Sequence, residues 1–312
     1  FLPAFDNPIL RELNDQATLT IPGKRIVMAT DSHVVTPLFF PGGDIGSLAV
    51  YGTVNDVAMS GAKPLYLSAG FILEEGFSLA QLKNIVNSMA KAAQICGITI
   101  VTGDTKVVER GHGDGCYINT TGIGSLADNL DLSPSKIQSG DKILLSGSLG
   151  DHGTTILAQR QHLNLSSELI SDSQPLHDLV ADIIKAVPEI RCMRDPTRGG
   201  LASILNELSQ TSGYAMRLDE TQIPIKEEVK ACTELLGLDP LYIANEGKLV
   251  AFCPAEKAEE LLVIMKAHPK GNDAAIIGEV LSNKRAVVEM KTSFGGKRIV
   301  DWRYSDPLPR IC

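Results

Sequence analysis

Four aspartates recur beside glycine or other small residues: Asp31 in "ATDSH", Asp56 in "TVNDVAMSG", Asp104 in "TGDTK" and Asp151 in "LGDHG". Hard divalent cations take carboxylate oxygens, and magnesium bridges one or two carboxylates to substrate phosphates. A set of acids converging at strand ends would suit that task, whereas any one of them alone is good turn chemistry. Glycine-rich turns with backbone N–H groups facing an oxyanion would complete a phosphate site. "FFPGGDIGS" and "GSLGDHG" have that character, each followed by a helix, while "GHGDG" at 111–115 reads as a hairpin loop. "RDPTRGGL" sets Arg194, Asp195 and Arg198 against a Gly-Gly that opens a helix. Its arginines would grip phosphate, or Asp195 would pair with one of them. "ANEGKLV" places Glu246 before an apolar strand, where a salt bridge to Lys248 is the plain alternative to chemistry.

Several familiar sites are excluded. The P-loop pattern G-x-x-x-x-G-K-[ST], a Rossmann fingerprint and G-x-S-x-G are all missing from the chain. Six cysteines, at 96, 116, 192, 232, 253 and 312, and six histidines show no C-x-x-C or H-x-x-x-H spacing, which argues against zinc. Cys96, Cys232 and Cys253 lie among apolar neighbours and read as core. Cys312 does not; it closes "SDPLPRIC" as a candidate reactive thiol.

The elements that must carry these residues are mixed. "KRIVMATDSHVV" reads as a strand from Lys24 to Thr30 running into an acidic turn. "SLAQLKNIVNSMAKAAQICG" is a helix with Ser78 as N-cap, an apolar face of Leu79, Leu82, Val86, Met89 and Ala93, and Gly97 as its stop. "ITIVTGDTKVV" follows as a strand that breaks at Gly103–Asp104. Polar, aperiodic "ADNLDLSPSKIQSGDK" sets a domain boundary near residue 130. Beyond it come strands in "KILLSG", "GKLVAFC", "AAIIGEV" and "RAVVEM", and helices in "PLHDLVADIIKAV", "GGLASILNELSQ" and "AEKAEELLVIMKA". The class is a two-domain α/β (α+β) protein: an N-terminal domain over 1–130, a C-terminal domain over 131–304 and a tail over 305–312.

Composition agrees: 312 residues, 44% hydrophobic, 21% charged, net charge −8. Without a basic run, a nucleic-acid partner is not expected. No apolar stretch nears the ~20 residues that span a bilayer, and no secretory signal is read. Unpaired thiols suit the reducing cytoplasm.

Taken in order, "NDVAMSGAKP", "VTGDTKVV", "GDHG", "RDPTRGGL", "ANEGKLV" and terminal "PRIC" closely resemble the HypE family of hydrogenase maturation factors. That family sits in the superfamily of aminoimidazole ribonucleotide synthetase, selenophosphate synthetase and thiamine-monophosphate kinase. Its H-G-x-G-G stretch has no counterpart here. The resemblance implies a homodimer in which the N-terminal domains share a barrel, with ATP and Mg2+ nearby. It implies that the partner HypF places a carbamoyl group on Cys312, and that ATP drives its dehydration to a thiocyanate. The cyano group would pass to iron on the HypC–HypD complex and end in [NiFe]-hydrogenase.

On this reading Asp31, Asp56 and Asp104 hold the metal. Asn55, Asp56, Gly103, Asp104, Thr105, Asp151, Arg194 and Asp195 surround the nucleotide. Lys106 and Glu246 attend the carboxamide, with Glu246 the proton acceptor, and His152 shuttles a proton, touches phosphate or is structural. Eight residues from Ser305 at ~3.3 Å each reach about 25 Å. Pro307 and Pro309 stiffen them, and Arg310 favours the thiolate. The rival readings are another ATP-dependent kinase or synthetase of the superfamily, and a non-catalytic carrier of a modified tail.

Overall fold

"RIVMATDSH" alternates inward- and outward-turned side chains with a two-residue period and forms strand β1 (Arg25–His33). The computed structural model describes residues 1–11, 19, 21–23, 25–161, 169–302 and 311–312. Lys24, the expected start of β1, lies outside them. The chain divides into two units, Phe1–Leu130 with Ser173–His177 and Arg310–Cys312, and Asp131–Asp172 with Asp178–Pro309.

In the first unit β1 is followed by α1 (Ile45–Met59), β2 (Lys63–Glu74), α2 (Leu79–Cys96), β3 (Thr99–Val108) and β4 (Cys116–Leu126). The sheet order is β1-β4-β2-β3. β2 and β3 run parallel, joined by α2, while β4 runs antiparallel between β1 and β2. α1 packs on the sheet and against α2, and is buried almost all round. Asp44 caps it, accepting from Gly46 N–H at 2.7 Å, and Asp44 N–H donates to the Ser47 hydroxyl at 3.1 Å. The sheet's other face leaves Ile26, Met28 and Ile72 exposed.

Three local expectations need correction. Leu79 is 80% exposed, because the buried stripe of α2 begins only at Ile85. β3 does not break at Gly103–Asp104. It runs straight through, and a Cβ on Gly103 would lie 2.2 Å from the Ala69 carbonyl oxygen. Glycine is there to let two strands approach, not to end one. Nor does "GHGDG" turn a hairpin, since β2 lies between β3 and β4; the loop crosses over it, with Gly111 and Gly115 N–H groups on the Glu74 carboxylate.

The second unit contains β5 (Lys142–Leu145), α3 (Asp151–Arg160), α4 (His177–Ala186), β6 (Cys192–Arg194), α5 (Gly200–Ser212), β7 (Met216–Asp219), α6 (Glu227–Leu236), β8 (Val250–Cys253), α7 (Ala258–Ala267), β9 (Ala275–Val280), β10 (Val288–Lys291) and β11 (Lys297–Ile299). Its sheet runs β11-β10-β7-β9-β5-β8-β6, antiparallel except where β10 joins β7. Leu201, Leu205 and Leu208 of α5 pack with Ile143, Leu145, Met216, Val250, Phe252 and Ile277. Burying each such side chain contributes roughly 1.5–3 kcal/mol. Cys96, Cys232 and Cys253 are buried, as their apolar neighbourhoods implied.

Gly103→Ala should therefore force β2 and β3 apart. The expected loss is about 1–3 kcal/mol of stability, read as a lower denaturant midpoint at unchanged slope.

Candidate functional site

The first unit collects chemistry where β1 ends against α1. Alternation turns Asp31 and His33 toward the helix, and Gly52 makes room for them: a Cβ there would lie 2.9 Å from His33 Nε2. Asp31 Oδ1 accepts its neighbour Ser32 N–H at 2.8 Å. Asp31 Oδ2 stands 3.2 Å from His33 Nε2, at ion-pair distance but without hydrogen-bond alignment. Asp56 lies one helical turn beyond Gly52, so Asp31 and Asp56 flank the same seam. None of the four aspartates caps a strand. Asp31 and Asp104 lie within strands, Asp56 lies within α1, and Asp151 opens α3.

The next residue of this segment meets the chain's end. Val34 N–H donates to the backbone oxygen of Cys312 at 3.1 Å. Ile311 is buried and Cys312 is partly exposed. Pro307, Pro309 and Arg310 lie outside the described residues.

Register separates Asp104 from this seam. Asp104 pairs with Gly70, Gly70 with Asn119, and Asn119 with Ser32, so Asp104 shares the face of Ser32 and not that of Asp31. β1 and β3 are also opposite edges of the sheet, three strand spacings or about 14 Å apart. The expected trio of Asp31, Asp56 and Asp104 is thus not assembled within one chain. Among the described residues no group of three His, Cys, Asp or Glu side chains could hold a metal ion. Lys106 lies on the open face with Asp104, opposite Ile72, and Thr105 on the other face, opposite Phe71. Asn55 is buried, and its side chain holds the segment at 173–177: Nδ2 donates to Gln174 O at 3.0 Å and Oδ1 accepts Leu176 N–H at 2.7 Å.

The second unit holds a buried charged network. Asp151 Oδ2 accepts from the Ser148 hydroxyl at 2.7 Å and from Lys226 Nζ at 2.8 Å, while Oδ1 is buried without a hydrogen-bond partner. His152 is fully buried, with Nδ1 2.7 Å from the Ser171 hydroxyl. Glu246 is 4% exposed. Its N–H and that of Gly247 donate to Asp172 at 3.2 and 3.3 Å. Lys248 makes its ion pair with Asp172, 3.6 Å away, so the plain reading of a bridge to Glu246 fails. Arg194 pairs with Glu207 at 3.2 Å, and Asp195 accepts Thr197 N–H at 3.0 Å through its backbone carbonyl. Sequence reasoning missed Asp172, Lys226 and Ser148; polar "ISDSQPLHD" offers no periodicity that would have singled out Asp172.

Burial pushes the Asp151 carboxyl above its ordinary range, opposed by the Lys226 hydrogen bond and reinforced by the charge of Asp172. Burial likewise pushes the Cys116, Cys192 and Cys253 thiols up to about 12, so they stay protonated and inert at neutral pH. An anionic Asp151 or Asp195 would meet a nucleotide through a metal or a hydroxyl, because carboxylate and phosphate repel.

Residues 13–126 match the AIR synthase related protein N-terminal domain and residues 138–291 its C-terminal domain. The carbamoyl dehydratase HypE of Azotobacter vinelandii is 61% identical over 312 residues, all of this chain and 92% of that protein. A crystal structure of the hydrogenase maturation protein HypE in complex with ATP superposes with a TM-score of 0.96 at 50% identity, covering 100% of this chain and 94% of that one. The HypE–HypF complex matches with a TM-score of 0.86 at 48% identity, covering 96% and 97%.

The raised Asp151 pKa carries a sign. The folded chain binds this proton more tightly than the unfolded chain does. The resulting stability is full below about pH 4 and is lost as pH rises through the folded value. Denaturant melts of the native chain and of Asp151→Asn should therefore differ most in favour of the native chain at low pH, and the difference should shrink toward neutrality. A pH-independent difference would contradict this account of Asp151.

Proposed function

The chain belongs to the HypE family of AIR synthase related proteins, and from that membership we infer that it dehydrates the S-carboxamide on its own Cys312 to a thiocyanate, using ATP. It is a carbamoyl dehydratase of hydrogenase maturation, and HypF is its partner. The observation that carries the reading to these residues is the Val34 hydrogen bond, which docks the terminal residue at the end of the strand bearing Asp31. A small-molecule kinase of the same superfamily would have no use for such a dock.

A carboxamide oxygen is a poor leaving group. ATP, when bound with Mg2+, supplies the phosphoryl group that makes this oxygen a good one. In balance, the oxygen departs in phosphate, both N–H protons leave, and carbon and nitrogen become triply bonded. We assign Asp31 and Asp56 to the cation, since they flank one seam. Lys106 is exposed on the open sheet face, so its positive charge would reach the developing charge of the transition state from the second protomer of the proposed homodimer. Glu246 takes the carboxamide proton. Gly103, Asp104, Thr105, Arg194, Asp195 and Asp151 are proposed around the nucleotide. Asn55 serves by shaping its surroundings, because its amide holds Gln174 and Leu176. His152, fully buried and bonded to Ser171, fits a structural role better than a phosphate contact.

The assembly follows the same logic. Ile26 and Met28 are 59% and 68% exposed on a sheet face that no described element covers, which supports a homodimer sharing that face. The iron-carrying HypC–HypD complex is proposed as cyanide acceptor. The cytoplasm is proposed as compartment, in line with six free thiols. No helix of the described residues is long and apolar enough to cross a membrane.

Carbamoylated chain incubated with Mg-ATP should lose the mass of one water from its C-terminal peptide. Lys106→Ala and Glu246→Ala should still accept the carbamoyl group from HypF yet form no thiocyanate; normal cyanation in either removes that residue's role. Met28→Asp should elute as a monomer, and an unchanged dimer would mean that the open face is not the interface.

A further inference from the structure

Glu246 sits in a turn whose two flanks are tied down by neutral groups. Before it, Asn245 Nδ2 donates to the Pro196 and Ile243 carbonyls, both at 3.0 Å, and Oδ1 accepts Gly150 N–H at 2.7 Å. After it, Leu249 N–H donates to the Ser146 hydroxyl at 2.9 Å, and its carbonyl accepts Ser146 N–H at 3.0 Å. Between the flanks one carboxylate acts. Asp172 Oδ1 accepts Glu246 N–H at 3.2 Å and Oδ2 accepts Gly247 N–H at 3.3 Å. Its side chain is 2% exposed, and Lys248 Nζ at 3.6 Å offsets its charge.

Two successive peptide N–H groups aimed at one carboxylate fix the peptide plane between 246 and 247. They thereby fix the direction of the Glu246 Cα–Cβ bond. Amide donors to an ionised acceptor are about twice as strong as neutral pairs, and a buried carboxylate left unpaired is costly, so the arrangement holds itself together. We propose that Asp172 is the positioning residue for Glu246, setting through the backbone where that carboxylate stands when it accepts the carboxamide proton. The proposal rests on Glu246 being the proton acceptor.

Asp172→Asn keeps the size of the side chain but turns one acceptor into a donor that faces a peptide N–H. A misplacement near 1 Å costs up to about a hundredfold in rate, so kcat for thiocyanate formation should fall by about tenfold to a hundredfold. The melting temperature should fall, because a buried charge pair is broken, while KM for ATP and carbamoylation by HypF in the folded variant should stay as in the native chain. Glu246→Gln is measured in parallel. If it is fully active, the reading of Glu246 fails and takes this proposal with it. If it is inactive while Asp172→Asn turns over normally, only the positioning role is overturned. A raised KM for ATP with kcat retained would make Asp172 a nucleotide contact and overturn it too. Hydrogen exchange on the unaltered chain decides the matter even if the variant does not fold. The Glu246 and Gly247 amides should be strongly protected, and rapid exchange at both would refute the contact.

Discussion

One main-chain hydrogen bond brings the last residue of the chain to the end of β1: Val34 N–H to the backbone oxygen of Cys312. A hydrogen bond to a terminal carboxylate oxygen contributes roughly 1.5–3 kcal/mol net, and burial of a side chain such as Ile311 roughly 1.5–3 kcal/mol. Their sum favours the docked terminus by a few kcal/mol before ordering entropy is subtracted. Ordering each tail residue costs about 1–2 kcal/mol, a term of the same size, so the terminus is held reversibly. A reactant that must be loaded elsewhere and processed at home needs an interaction in this range. A disulfide or a buried ion pair would hold it too tightly.

The two units treat charge differently. In the first, Asp31 and Asp56 flank a seam closed by α1, and Asp104 and Lys106 lie on an open sheet face. In the second, Asp151, Asp172, Glu246 and Lys248 are buried, and Lys226 reaches Asp151 from the surface. Burial there strengthens each interaction and raises the cost of any mismatch.

Legibility in the sequence followed the range of the interactions. α2 was readable from Ser78 to Gly97 because caps and stripe are local signals. Sheet order was not, since β4 finds its place between β1 and β2 through pairings of residues far apart in the chain, such as Arg25 with Leu126 and Lys63 with Ser125. Gly103 was misread because a glycine required by a neighbouring strand looks, in one dimension, like a glycine required by a turn. Of the acids, Asp31 and Asp56 lie near each other only once a strand and a helix have packed. Asp172 was unreadable, because its partners are backbone N–H groups 74 and 75 residues away.

The burial of Cys96, Cys116, Cys192, Cys232 and Cys253 has a consequence beyond packing. Peroxide attacks thiolates that it can reach, so shielded sulfurs resist sulfenylation while an accessible terminal one does not. Oxidative injury would therefore fall first on Cys312, silencing the protein while its scaffold survived intact. Such a chain fails like a fuse, at a replaceable point, and reductive repair of a single sulfur would return it to service.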